Sequence, residues 1–192
     1  MKPTIIVVIL VVAIGLWIVI RTRSPIAQES DQIVSSKRSP ADAGRNLRHM
    51  MLTASADDIS AIPTKEFPRV YGILMDWPID EVTATVFSSY TGAASLYTTS
   101  TFGIIGGENH ETVRTAAQNF VRAADQHYDA AITTSDFSYP ANNHVRFYLL
   151  TYEGVRVIDT DLALITDGAS EYSRLFGLGQ AVLTELRLVT QK

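Results

Sequence analysis

With 192 residues, 46% hydrophobic and 19% charged, the chain has the composition of one globular domain plus an apolar segment, which excludes wholesale disorder. It has no cysteine, so disulfides, thiolate metal sites and cysteine nucleophiles are excluded together. Five of the 16 basic residues and two of the 20 acidic ones precede residue 39; the remainder carries 11 basic and 18 acidic side chains, net −7, a surface that repels nucleic acid.

Residues 5–20 (IIVVILVVAIGLWIVI) form an unbroken apolar run. With Pro3 and Thr4 it would reach about 27 Å as a helix, close to the thickness of the hydrocarbon core. A cleaved signal peptide would need a shorter apolar core with a small-x-small site soon after it. Here Arg21 and Arg23 follow directly, and a site around Ala27 would put Pro25 at the minus-three position. The run therefore predicts a transmembrane anchor over residues 1–20. Arg21, Arg23, Lys37 and Arg38 outweigh Lys2, which favours a domain on the cytoplasmic side of a bacterial inner membrane. No ionisable side chain interrupts the run, so it suits anchoring or docking against other helices, with Trp17 as a candidate partner contact.

Residues 21–38 are polar, lack periodicity and contain Ser24-Pro25, the features of a flexible tether. The soluble domain spans 39–192. Ser39, Pro40 and Asp42 offer an N-cap, a first helical position and an acid in the first turn, so a helix begins there. Leu47, Met51 and Ala54 are its expected buried stripe. Residues 69–77 (RVYGILMDW) predict a strand with Tyr71, Ile73, Met75 and Trp77 on one face. Residues 82–89 (VTATVFSS) and 94–100 (ASLYTTS) flank a turn at 90–93, which predicts a hairpin or meander.

From Asn109 to His127, Val113, Ala116, Ala117, Phe120, Val121 and Ala124 recur at helical spacing. Residues 135–143 read as a loop, 144–152 and 155–160 as strands around Glu153-Gly154, and Ser170 as the cap of a last helix. Tyr172, Leu175, Phe176, Gly179, Val182, Leu183 and Leu186 form its stripe, and Gly179 implies a close backbone contact. Tight turns make the sheet antiparallel. The expected fold class is α+β: a transmembrane helix, then a two-layer domain with a mainly antiparallel sheet of about five strands.

This order of elements is loosely similar to the roadblock, longin and profilin-like group of regulatory domains. The blocks Gly72 to Trp77, Ala94-Ser95-Leu96-Tyr97, Gly103 to Gly107 and Val113-Arg114 resemble a bacterial single-pass membrane protein family to which no activity is assigned. The resemblance covers about half the domain. It implies a shared fold and transfers no catalytic residue.

Gly103, Gly106 and Gly107 lie between a strand and a helix start, where backbone N–H groups can hold a phosphate or carboxylate. There is no Lys-Ser/Thr pair, however, and Glu108 and Glu111 would repel an anion. His49, His110, His127 and His144 fall at no metal-ligand spacing, and Asp159-Thr160-Asp161 lacks the further ligands of a calcium loop; it reads as an acidic turn. No serine sits in a nucleophile elbow. Trp77, Phe137 and Tyr139 are candidate partner contacts in loops or at a strand end.

The expectation is thus a non-enzymatic accessory or scaffolding subunit without cofactor or metal, partnered by other membrane subunits and the bilayer. The alternative is a membrane-tethered regulatory or small-ligand-sensing module.

Overall fold

The computed structural model describes residues 40–100 and 103–190. Helix α1 (Pro40–Thr53) leads into an irregular segment and then a meander of β1 (Val70–Ile79), β2 (Val82–Ser89), β3 (Ala94–Thr98) and β4 (Ile104–Ile105). Helix α2 (Glu111–Asp125) follows, then β5 (Ile132–Thr133), β6 (His144–Thr151) and β7 (Gly154–Asp161), and finally α3 (Leu162–Thr166) and α4 (Ser173–Thr190). The seven strands form one sheet in the order β4-β3-β2-β1-β6-β7-β5, and every neighbouring pair is antiparallel.

The alternation of side chains along the central strands divides the interior in two. On one face Ile73, Met75, Val86, Phe147 and Leu149 meet Val113, Ala117, Phe120 and Val121 of α2 and Leu175, Val182 and Leu186 of α4. On the other face Leu74, Tyr148 and Leu150 meet Leu52 of α1 and Ala61 of the irregular segment. Gly179 lets α4 approach the sheet: a β-carbon there would lie 2.7 Å from the Met75 sulfur and 3.1 Å from Phe120.

The expected fold class is corrected on two counts. The sheet has seven strands rather than about five, because β4 and β5 have two residues each, too few to leave an alternating pattern. Both faces of the sheet are covered, so the domain is not two-layered. No helix among the described residues is long and apolar enough to cross a membrane; residues 1–20, the tether and Trp17 lie outside the described residues.

Two local expectations also change. The register between β1 and β6 shifts between Val70 and Gly72, and a bulge of this kind breaks the two-residue alternation. Tyr71 accordingly joins Leu74 in the core under α1, while Ile73 and Met75 face α2 and α4. In α1 the buried positions are Gly44, Arg48 and Leu52, with Leu47, Met51 and Ala54 only partly covered.

Candidate functional site

The β1 pairings place Asp76 beside Thr85 of β2 and Arg146 of β6, and Arg146 lies beside Asp159 of β7. These four side chains form a polar row across four strands on the α1 face. Arg48 stands one turn after Gly44 and one before Leu52, on the buried side of α1, and this periodicity aims it at the row.

Its guanidinium donates from Nη2 to Asp76 Oδ2 at 2.5 Å and from Nε to the same oxygen at 2.9 Å. The Thr85 hydroxyl donates to Asp76 Oδ1 at 2.6 Å. Arg48 is 4% exposed and Asp76 is fully buried. Burial by itself would lower the Arg48 guanidinium, but the Asp76 carboxylate beside it more than compensates and holds Arg48 above its ordinary value. Burial pushes the Asp76 carboxyl above its ordinary value, and the bonds from Arg48 and Thr85 counter only part of that push.

The same guanidinium holds the segment that precedes β6. Its Nη1 donates to Phe137 O at 2.8 Å, and its face lies 4.1 Å from the centre of the Tyr139 ring. The Tyr148 hydroxyl donates to Ser138 O at 2.6 Å, and Arg146 Nη1 donates to Ser138 Oγ at 2.7 Å. Arg146 Nε also donates to Asp159 Oδ2 at 2.5 Å, and His144 Nδ1 donates to Asp159 Oδ1 at the same distance. The Ser138 backbone and then its hydroxyl, which donates to Asp136 Oδ2 at 3.0 Å, hold the Asp136 carboxyl below the usual carboxylate range.

An imidazole braced by a carboxylate at Nδ1 is also found in nucleophilic catalysis. Here the Ser138 hydroxyl is committed to Asp136 and Arg146 instead, so the pair acts as part of a clamp. The network joins α1, four strands and residues 136–139 into one body.

The residues singled out from the sequence are distributed differently. A β-carbon on Gly103 would meet Leu96 O at 1.7 Å, so the bare backbone is what permits β4 to lie beside β3. Gly106 and Gly107 take φ of +93° and +115°, and a β-carbon on Gly107 would come within 2.8 Å of Val113. These glycines are accounted for by backbone geometry, and Glu111 stands in the first turn of the helix that follows them. Trp77 packs edge-on against Phe176 of α4 at 5.5 Å, on the core side. Phe137 packs against Tyr148, and Tyr139 lies under Arg48, so both belong to the clamp.

Asp159 and Asp161 stand in β7 rather than in a turn: the first binds His144 and Arg146, the second caps α3 through Ala163 N at 2.7 Å. His127 packs edge-on against Tyr172, and His110 sits at the N-cap of α2. Sequence reasoning missed Arg48 and Asp76. The available signals were an arginine at helical spacing between Gly44 and Leu52, and an aspartate inside an otherwise apolar strand.

The chain matches no family model, no curated protein and no solved structure.

Proposed function

We propose that this chain is a non-enzymatic accessory subunit of a larger bacterial membrane-protein complex, by analogy with the small subunits of photosynthetic or respiratory assemblies. Its compact domain serves as a rigid contact module for other subunits at the inner membrane, and the apolar run at 5–20 supports the membrane association. The observation that carries this reading is the closed network around Asp76. Its strongest charges are spent on fixing α1 and residues 136–139 to the sheet, which is the work of a scaffold.

The test is mild-detergent extraction followed by native separation and mass spectrometry of what co-migrates. The full-length chain is expected with integral membrane subunits at a fixed stoichiometry. A chain that runs alone from an otherwise intact membrane overturns the reading.

A further inference from the structure

Helices α2 and α4 lie side by side and antiparallel on the outer face of the domain. Between them runs a groove of about 490 Å³, lined at one end by Glu111 and Glu185 and floored by Ala116, Leu178 and Ala181. It continues into a hollow of about 250 Å³ lined by Arg122 and Arg174. The trough therefore has two carboxylates at one end, two guanidiniums at the other, and a mixed stretch of Thr115, Ala116, Asn119, Leu178 and Ala181 between.

Three observations bear on what covers it. Beside the charged and hydroxyl side chains Arg174, Thr184 and Arg187, the exposed side of α4 also carries Ala181 and Leu188, the latter 51% exposed, outside the stripe of Leu175, Gly179, Val182 and Leu186 that faces the core. A helix apolar beyond its core-facing stripe is one that packs on a second side. Next, Glu111, Glu185 and Arg174 form no ion pair with any described residue, and the ion pair of Arg122 with Glu66 is exposed and long at 3.9 Å; the Arg122 guanidinium also bonds Asn119 and lies 5.4 Å from the centre of the Phe67 ring. Finally, the charge order along the groove is antisymmetric about its middle. A two-fold axis through the middle lays the acidic end of one copy on the basic end of the other.

We propose that the α2–α4 face is a self-association surface, occupied by the same face of a second copy of this chain about a two-fold axis. The helices have 15 and 18 residues, so the face is about 22 to 27 Å long, small beside a permanent dimer interface. The dimer is accordingly reversible, dissociating in the micromolar range, and weakens as salt screens its charged ends.

The experiment uses the full-length chain in a density-matched non-ionic detergent, with mass read by sedimentation equilibrium. One variant carries Glu111→Arg and Glu185→Arg, the other Arg122→Glu and Arg174→Glu. Each alone presents like charges to itself, and self-association should weaken roughly tenfold to a hundredfold. Mixed together, the two should form a one-to-one heterodimer, because one groove is now wholly basic and the other wholly acidic. Restoration on mixing also shows that both variants are folded. A wild-type chain monomeric throughout the micromolar range overturns the proposal. So does self-association that survives in either variant, or a mixture that fails to restore it.

Discussion

Replacing one member of the Arg48–Asp76 pair leaves the other charged and buried where water cannot reach it, a change that typically costs about 3–5 kcal/mol. Arg48→Met or Asp76→Leu alone should therefore lower the urea midpoint strongly. The double replacement should cost less than either, because no uncompensated ion remains; additive losses would show that the two side chains act separately. Arg48→Met should also raise amide exchange at residues 136–139, which lose the bond from its guanidinium to Phe137 O.

Tyr71 belongs to the same face and gives a pH-dependent prediction. Burial pushes its phenol up to about 12 from the ordinary 10, and its hydroxyl donates to Ala54 O at the end of α1. The fold thus favours the neutral form. The unfolded chain ionises first, so this contribution is complete below pH 10 and is lost as pH rises toward 12. Urea midpoints at pH 9 to 12 should fall less steeply in Tyr71→Phe than in the wild type, and the late tyrosinate absorbance should shrink by one tyrosine's share.

Among the elements, α4 holds two glycines that helix propensity treats alike and packing separates. Gly177 is exposed, and an added β-carbon there meets nothing within 4 Å. Gly177→Ala should stabilise by about 0.5–1 kcal/mol, since alanine is the better helix former. Gly179→Ala gains the same propensity, but its β-carbon presses on Met75 and Phe120 in the closed core. The net effect there should be a loss of about 1–2 kcal/mol. Thermal denaturation of both variants reads the two signs; equal shifts would show that the contact with Met75 yields without cost.

For the whole molecule, the scaffold reading and the ligand-sensing alternative part at the loop that enters α2. Inorganic phosphate at about 10 mM should leave the melting temperature of the full-length chain within about 1 °C, because a ligand bound near its dissociation constant or weaker stabilises by only a fraction of a kcal/mol. A larger rise that Gly106→Val and Gly107→Val abolish would instead support the ligand-sensing module. Both positions have φ above +90°, which valine resists, so the substituted chains must first be shown to melt cooperatively.

The sequence by itself determined the elements whose pattern is local. The alternation of 82–89, the turn at 90–93 and the helical periodicity of α2 and α4 each express a relation between residues a few positions apart, and the α+β character follows from them. Tertiary structure alone decided which face each residue meets. The bulge near Val70 moved Tyr71 into the second core, and β4 and β5 exist only because longer strands present an edge to them. Arg48 resembles any solvated helix arginine until Asp76, 28 residues away, is laid beneath it. The physical reason is that a buried ion is tolerable only with its partner in place. That partner comes from sheet pairing, which a local pattern does not contain.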